Sequence, residues 1–550
     1  MCTKKKLAGY KTYQLKKLSK AIALATITIT GGLTTSAFAQ SDQILRIAMT
    51  ASDIPTTTGM PDNGYEGMRF LGYTAFEGLI SWDLSSDKVN AGLKAGLAEE
   101  WYIDPENDKR WIFELREGVT FHDGSAFDAD AVIWNLRRFY DESSEQFDPT
   151  GASITQARNP LISGWEKIDA KTVAIDTSRV SSDFPYLVVY ILMSSPAQFE
   201  SVGRNWAEFA RSPAGTGPFK IVSYTPRQSV KLQRYDDYWD ANRIPLLSEL
   251  QLYPMPEATT RLAALRSGQV DWIEVPPPDA VPSLEGAGFE IVSNIYPHIW
   301  PWVFNLANPE SPVADVRVRQ ALNYCINREN IVHLLNGLAA PAKGFFPPDH
   351  PQFGNPEEDY SYQPDHARNL MNEAGYSNEN IANLRVMIST SGSGQMWPIP
   401  MNEYLQQNLQ ECYFNIDYEV VDWGTMLVAY RNEPTGSQSM GVDAINFSSP
   451  SSDISQMGRW FYGPFSTPNG SNWAHFTSDS FDEAYVEATS SFDPDLVDEY
   501  TARAHESVVD EAAWAFIVHD TNARAMSPKV KGFVSAQSWF QDLTQVYIED

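Results

Sequence analysis

Residues 97–136 read LAEEWYIDPENDKRWIFELREGVTFHDGSAFDADAVIWNL, and this stretch carries the signals of a strand, a turn and a helix in succession. Apolar and polar residues alternate from residue 111 to residue 116, which predicts a strand. The Asp-Gly pair in FHDG, at residues 121–124, marks a turn. Asp128 then provides an N-cap for a helix whose apolar residues recur at helical spacing. A strand is therefore followed closely by a helix.

The same mixture of strands and helices continues along the chain. Further strand patterns cover residues 44–49, 171–176, 219–224, 230–235 and 414–421. Helical patterns cover residues 259–267, 316–326, 328–335, 364–374 and 401–412. We find no internal repeat with a period of 20–50 residues. This alternation over a chain of 550 residues predicts an α/β protein with more than one domain and several sheets.

The first 39 residues have the features of a secretory signal peptide. Seven lysines precede a short uncharged apolar stretch at residues 21–30, and Ala37-Phe38-Ala39 is a small-x-small cleavage signal. We expect cleavage before Gln40 and a soluble periplasmic product, because no later run of apolar residues is long enough to span a bilayer. A disordered amphipathic tail is the alternative. Cys2 precedes the apolar stretch and is not placed as a lipid anchor.

The chain is strongly acidic, which argues against some classes of partner. It has 70 acidic and 41 basic residues, a net charge of −29, and seven of the basic residues belong to the leader. Such a chain repels nucleic acids and anionic lipid surfaces, so neither is expected as a partner.

Beyond the leader the chain has two cysteines, Cys325 and Cys412. Two cysteines in so long a chain are no disulfide framework, and each lies in an apolar helical pattern. We therefore expect two buried thiols that pack as small hydrophobic groups. A disulfide between them is the alternative that an oxidising compartment leaves open.

No motif for catalysis or for a cofactor is present. None of the eight histidines has another at i+3 or i+4, and the chain has no H-E-x-x-H, C-x-x-C, G-x-S-x-G, Walker A or G-x-G-x-x-G pattern. We predict no enzyme activity and no cofactor or metal, although catalytic groups can converge from distant positions. The aromatic content of 12% instead favours a ligand cavity lined with rings.

Five segments together resemble the family 5 extracellular solute-binding proteins, the oligopeptide, dipeptide and nickel binders of ABC importers. These are the 97–136 region, GTGPF at 215–219 followed by DYW at 237–239, RLAALRSGQVD at 261–271, FN at 304–305 with DVRVRQAL at 315–322 and INRE at 326–329, and residues 365–376. They follow the order of the family and cover nearly all of the chain beyond the leader. We expect Gly215 and Gly217 to provide backbone conformations that a side chain would resist.

The resemblance implies two lobes joined by a hinge, with a subdomain added to the first lobe. Carried onto this sequence, lobe I comprises residues 41–83, 211–295 and 520–550, the subdomain comprises residues 84–210, and lobe II comprises residues 296–519. The hinge crossings then fall near residues 296–302 and 518–522. The implied function is to capture a ligand between the lobes and deliver it to an ABC permease and ATPase complex in the inner membrane.

The family's peptide anchors have no clear counterpart in this sequence. Peptide binders of the family carry an aspartate that pairs with the ammonium group of the peptide, and the matching position is Asn446. Asp453 is a possible substitute. The loop at residues 389–400 matches a region that contributes a basic residue in dipeptide binders, but it contains no arginine or lysine. Since a buried charge needs a partner, a zwitterionic peptide becomes less favoured than the family default.

Our predicted ligand-binding residues are Tyr65, Gln395, Met396, Trp397, Asn446 and Asp453. The indole of Trp397 would suit a sugar ring or an aromatic side chain. A peptide or related organic solute remains the main hypothesis. An oligosaccharide, an opine-like compound, a nickel chelate, a ligand-presenting sensor and a secreted hydrolase are alternatives.

Overall fold

The computed structural model of the chain describes residues 43–60 and 64–550, apart from the side chain of Tyr65. The predicted signal peptide lies outside these residues. Within the described part, no helix combines the length and the apolar character needed to cross a membrane.

The strands, in chain order, are β1 (Ile44–Met49), β2 (Ile80–Trp82), β3 (Leu93–Ala95), β4 (Ala98–Asp104), β5 (Asn107–Leu115), β6 (Ile162–Lys167), β7 (Thr172–Thr177), β8 (Phe219–Thr225), β9 (Ser229–Arg234), β10 (Glu249–Pro254), β11 (Trp272–Glu274), β12 (Glu290–Val292), β13 (His298–Phe304), β14 (Ala339–Pro341), β15 (Ala382–Ser389), β16 (Phe414–Val421), β17 (Ala444–Asn446), β18 (Ser449–Pro450), β19 (Trp514–Asp520), β20 (Arg524–Met526), β21 (Val530–Lys531) and β22 (Tyr547–Ile548).

The helices are α1 (Gly64–Gly67), α2 (Tyr73–Ala75), α3 (Ala129–Tyr140), α4 (Pro149–Arg158), α5 (Phe184–Val188), α6 (Pro196–Ser201), α7 (Trp206–Phe209), α8 (Ala258–Arg266), α9 (Val281–Gly286), α10 (Val316–Cys325), α11 (Arg328–Leu334), α12 (Pro364–Glu373), α13 (Pro398–Gln410), α14 (Trp423–Tyr430), α15 (Ile454–Phe461), α16 (Asp479–Ser490) and α17 (Pro494–Asp510). A π-helical turn, Met68–Gly72, joins α1 to α2. Asp128 caps α3 as predicted, since its side chain accepts a hydrogen bond from the Ala131 amide.

Two seven-stranded sheets organise the chain. The first has the order β12-β20-β11-β1-β10-β9-β8, and the second has the order β14-β19-β13-β17-β15-β16 with β18 paired to β13. We call the first sheet with the residues packed on it lobe I, and the second sheet with its packed residues lobe II. A separate antiparallel sheet, β4-β5-β7-β6, belongs to the region predicted as the subdomain. The predicted α/β fold class is confirmed, while the exact domain boundaries stay a prediction.

The two lobes have separate hydrophobic cores. The main buried cluster of lobe I draws on residues between 45 and 296 and between 526 and 546, whereas that of lobe II draws on residues between 299 and 518. The chain passes between the two sheets at residues 293–297, which follow β12, and again at residues 521–523, which precede β20. The predicted hinge segments overlap both of these links. Two cores joined by short links form an architecture in which the lobes can move relative to each other.

Gly215 and Gly217 are required for a different reason from the one predicted. Neither has a positive φ angle. Instead, a β-carbon on Gly215 would collide with the carbonyl oxygen of Ala75. A β-carbon on Gly217 would lie 2.6 Å from the carbonyl carbon of Ala75. These glycines therefore allow two backbone segments to pack closely where the chain enters β8.

Cys325 and Cys412 form a disulfide, so the expectation of two free buried thiols is wrong. Cys325 ends α10 and Cys412 follows α13, and the packing of the lobe brings their α-carbons to 6.3 Å, within the range that a disulfide spans. The separation of 87 residues hides this proximity in the sequence.

We predict that replacing both Cys325 and Cys412 by serine lowers the thermal stability of lobe II. The cross-link closes a loop of 87 residues, for which chain-entropy arguments give a loss of up to about 4–5 kcal/mol in the free energy of unfolding. Differential scanning calorimetry of the double variant, with reduced wild-type protein as a control, measures the effect. An unchanged melting temperature in both samples would show that the bridge does not support the native state.

A buried ionic cluster connects lobe I to the 521–523 link. The carboxylate of Glu274 forms an ion pair with Arg69, accepts a hydrogen bond of 3.3 Å from Arg524 Nε, and accepts another of 2.7 Å from Trp272 Nε1. Arg69 also donates to Asn522 Oδ1 over 2.8 Å. All these side chains are buried, and burial lowers the pKa of Arg524 to about 10.

We predict that Glu274→Gln strongly destabilises lobe I. The substitution keeps the shape of the side chain but leaves the guanidinium groups of Arg69 and Arg524 without their anion, and breaking a buried pair costs about 3–5 kcal/mol. Glu419→Gln is the matched control, because its partner Arg385 is at the surface and an exposed pair contributes about 0–1 kcal/mol. Urea denaturation of both variants provides the comparison, and equal midpoints would contradict the prediction.

Candidate ligand-binding site

A cavity of about 360 Å³ lies between the two lobes. Lobe II and the region predicted as the subdomain provide most of its walls, and α1 contributes Gly64. Its lining residues are Gly64, Ser153, Ile154, Gln156, Ala157, Arg158, His298, Ser393, Trp423, Leu427, Tyr430, Arg431, Phe447, Ser448, Arg459, Trp460, Pro468, Asn469, Gly470 and Ser471. Its volume is at the lower end of the range for small-molecule pockets.

Four aromatic rings form one wall of the cavity. Phe447 stacks on Trp423 with a centroid distance of 5.3 Å and on Tyr430 with a centroid distance of 4.3 Å. Trp460 packs against Tyr430 at 5.2 Å. The packing fixes the orientation of the rings, so that they offer a rigid apolar surface to a planar or apolar part of a ligand.

Three arginines also line this cavity. Arg158 ends α4, Arg431 follows α14, and Arg459 belongs to α15. The guanidinium group of Arg459 donates to Tyr430 Oη over 3.2 Å and to Ser471 Oγ over 3.3 Å. None of the lining residues in the described part of the chain is acidic.

His298 reaches the cavity from the first residue of β13. Its Nδ1 lies 2.9 Å from Asp520 Oδ2, and its ring stacks against Tyr296 and Trp539 with centroid distances of 5.4 and 4.9 Å. Burial alone would raise the pKa of Asp520. The charge of His298 and its hydrogen bond lower this pKa by more, so the pKa of Asp520 lies below its ordinary value. Asp520 therefore holds the imidazole ring in place, at the strand that leads into the 521–523 link.

Direct contacts join the two sides of the cleft around the cavity. The Glu66 amide donates to Ser393 Oγ over 3.1 Å, Ser471 Oγ donates to the Ala157 carbonyl over 3.0 Å, and the Ser182 amide donates to the Thr489 carbonyl over 2.7 Å. In each pair one residue belongs to lobe II and the other to lobe I or to the region predicted as the subdomain, so hydrogen bonds bridge the cleft.

A second cavity of about 330 Å³ also lies between the lobes and differs in character. Trp82, Tyr186, Tyr190 and Phe540 line one side of it, and the lobe II side includes Asp453 and Asp498. Arg158 of the first cavity lies 5.6 Å from the ring of Tyr190, so the two cavities are neighbours.

The predicted site residues occupy several different places. Asp453 lines the second cavity and caps α15, where it accepts a hydrogen bond from the Ser455 amide; burial raises its pKa, against the effect of its hydrogen bonds. Met396 and Trp397 line a small cavity of about 30 Å³ near the 521–523 link. Tyr65 belongs to α1, and its side chain lies outside the described part of the structure.

Gln395 and Asn446 are buried inside lobe II. Gln395 Nε2 donates to the cavity residue Ser448 over 3.1 Å, and Asn446 donates to the Pro301 carbonyl and accepts from Asn402. Gln395 thus lies directly behind the wall of the first cavity. The roles of the six predicted residues in binding stay a prediction.

The three arginines, the aromatic wall and His298 are not among the residues predicted from the sequence. They come from separate segments between residues 158 and 460, and no local sequence pattern distinguishes any of them. The high aromatic content was the available signal, but it identified no individual ring.

Residues 92–469 match the family model of the bacterial extracellular solute-binding proteins, family 5 Middle. The chain is 26% identical over 485 residues to heme-binding protein A of Haemophilus influenzae, an alignment that covers 82% of this chain and 83% of the relative. It is 27% identical over 467 residues to the glutathione-binding protein GsiB of Escherichia coli K12, covering 83% of this chain and 86% of the relative.

Two solved structures with the same fold have TM-scores of 0.80. One is the periplasmic binding protein DppA of Helicobacter pylori in complex with the peptide STSA, at 20% identity, covering 92% of this chain and 98% of the other. The second is a dipeptide-binding protein of Pseudoalteromonas sp. SM9913 in complex with Met-Leu, at 21% identity, covering 92% and 100%. Since the family model spans more than half of the sequence, the chain belongs to the bacterial extracellular solute-binding proteins, family 5.

Proposed function

We propose that this protein is the periplasmic solute-binding component of an ABC importer and that it encloses a short peptide or a related organic solute between its lobes. The cavity of about 360 Å³ bounded from both sides of the cleft is the observation that carries this proposal. Relatives named for binding glutathione and heme, and structural neighbours in complex with peptides, support the assignment to solute capture.

The two-lobed architecture supports a mechanism of closure around the ligand. A ligand that touches both lobes interacts with both only in the closed state, so it shifts the population towards that state by its difference in affinity. A shift from 1% to 99% closed needs about 5.5 kcal/mol of such difference. The closed protein then delivers the solute to the permease and its ATPase. No step requires catalysis by this chain.

The size of the cavity favours a small ligand. Its volume of about 360 Å³ is near the lower end of the range for small-molecule pockets. This volume suits a solute of about dipeptide or tripeptide size better than a macrocycle such as heme, and the second cavity provides space for a longer solute.

The ring wall also supports a non-peptide organic solute as a second candidate. One structural neighbour is the binding protein AgaA of Agrobacterium tumefaciens R10 in complex with agropinic acid, at 20% identity and a TM-score of 0.76. The wall formed by Trp423, Phe447 and Tyr430 can stack on a planar group of either kind of ligand. The same scaffold could also present such a solute to a receptor as a sensor.

We predict that the protein purified from its native compartment carries a small solute. Native mass spectrometry should show an added mass that disappears on denaturation, and the released solute can be identified. After removal of the solute by unfolding and refolding, small-angle X-ray scattering should give a larger radius of gyration, which falls again when the solute is returned. Protein that carries no solute and is not stabilised by any solute tested would contradict the proposed function.

We also predict that the exported protein begins at Gln40, because the leader has the order of a cleaved signal peptide. N-terminal sequencing of protein from the periplasmic fraction tests the cleavage site. Replacing Ala37 and Ala39 by bulky residues should leave the uncleaved precursor in the membrane fraction. Full-length protein found free in the cytoplasm would contradict this route.

A further inference from the structure

We propose that His298 and Asp520 tie the two links between the lobes together and thereby restrict how the lobes move relative to each other. The proposal builds on the proposed function, because the capture of a solute between the lobes requires them to separate and to close again. It starts from the positions of the two residues. His298 is the first residue of β13, directly after the 293–297 link, and Asp520 is the last residue of β19, directly before the 521–523 link.

The two links lie side by side. The Asn294 amide of the first link donates to the Thr521 carbonyl of the second over 3.0 Å, and β13 and β19 are antiparallel neighbours in the sheet of lobe II. His298 and Asp520 are therefore at the same end of that sheet, where the chain crosses twice between the lobes.

A buried hydrogen bond joins the two side chains. His298 Nδ1 lies 2.9 Å from Asp520 Oδ2, and both residues are buried. Since an ionised carboxylate only accepts hydrogen bonds, the imidazole donates through Nδ1. The second oxygen of the same carboxylate, Oδ1, accepts from the Asn522 amide over 2.8 Å. One carboxylate thus holds both the start of β13 and the 521–523 link.

The imidazole ring of His298 also packs against lobe I. It stacks on Tyr296 in the first link and on Trp539 in the core of lobe I, with centroid distances of 5.4 and 4.9 Å. Arg69 in turn holds Trp539, because its guanidinium group lies 3.9 Å from the centre of the indole and its Nε donates to the Trp539 carbonyl over 2.7 Å. A change in the angle between the lobes would therefore disturb the stacking on His298.

The same ring lines the first cavity. Its edge occupies the space that a side chain at position 394 would need, since a β-carbon on Gly394 would lie 2.5 Å from Cε1 of His298. The preceding residue, Ser393, accepts a hydrogen bond from the Glu66 amide of α1. A solute in this cavity would thus lie against the ring that ties the links, so its contact can favour one arrangement of the lobes over the others.

The test measures the separation of the lobes in solute-free protein by single-molecule energy transfer. Dyes are attached through Val222→Cys and Val420→Cys, two exposed positions on the edge strands β8 of lobe I and β16 of lobe II. His298→Leu removes both the donor and the ring. We expect this variant to broaden the distribution of transfer efficiencies about twofold, because the links lose the side chain that connects them.

Two further variants separate the hydrogen bond from the general effect of the substitution. His298→Asn keeps an N–H donor near the position of Nδ1, and we expect it to restore a narrower distribution than His298→Leu. Asp520→Asn keeps the shape of the carboxylate and should broaden the distribution. Combining it with His298→Leu should add nothing, since both changes remove the same interaction. Equal widths for His298→Asn and His298→Leu, or additive broadening in the double variant, would contradict the proposal.

His505→Leu is the matched control. His505 is also a buried histidine of lobe II, with Nδ1 2.7 Å from the Phe353 carbonyl and Nε2 accepting from the Phe346 amide, but it contacts neither link. We expect it to lower the melting temperature without broadening the distribution. Equal broadening by His505→Leu would show that loss of stability, and not the tie between the links, produces the effect.

The outcome is independent of the test of solute capture. Melting temperatures identify the variants that fold, and Asp520→Asn carries the decision if His298→Leu does not fold. Distributions as narrow as that of the wild-type protein in the folded variants overturn the tie and leave the proposed function intact. The solute recovered from the native compartment tests that function separately.

Discussion

The position of the 521–523 link depends on the buried pairing of Glu274 with Arg69 and Arg524. These three side chains come from β11, from the π-helical turn before α2 and from β20, so a single carboxylate holds together segments that are far apart in the sequence. Arg69 also binds Asn522 in the link and the carbonyl of Trp539. The link between the lobes therefore starts from a fixed point in lobe I.

A buried ionic cluster is a costly means of fixing this point. Moving three charges out of water carries a large desolvation penalty. Hydrogen bonds and mutual attraction offset this penalty only when each charged group has well-aligned partners. In this cluster the acceptors are shared among Glu274, Asn522 and the Trp539 backbone, so the guanidinium groups are held by several partners. Apolar packing could hold the same segments, but it would tolerate sliding, whereas directional bonds define one position. We infer that the cluster fixes the position of the link more than it adds to stability.

The sequence predicts much of the fold and little of the site. Strands β1 and β16 have the predicted bounds, and Asp128 caps α3 as expected, because these features depend on local periodicity and capping. Helix α13 begins at Pro398, three residues before the predicted start, which places Trp397 at its N-cap. The disulfide and the role of Gly215 were not predictable in this way, since each depends on a contact between distant segments.

The cavity residues come together only in the tertiary structure. Arg158 and Arg459 are 301 positions apart, and both are single basic residues in the last turn of a helix, which is where arginines commonly occur for local reasons. At the positions where peptide binders carry charged anchors, this sequence has the uncharged Asn446 and an uncharged loop at residues 389–400. The arginines that line the cavity come from other elements.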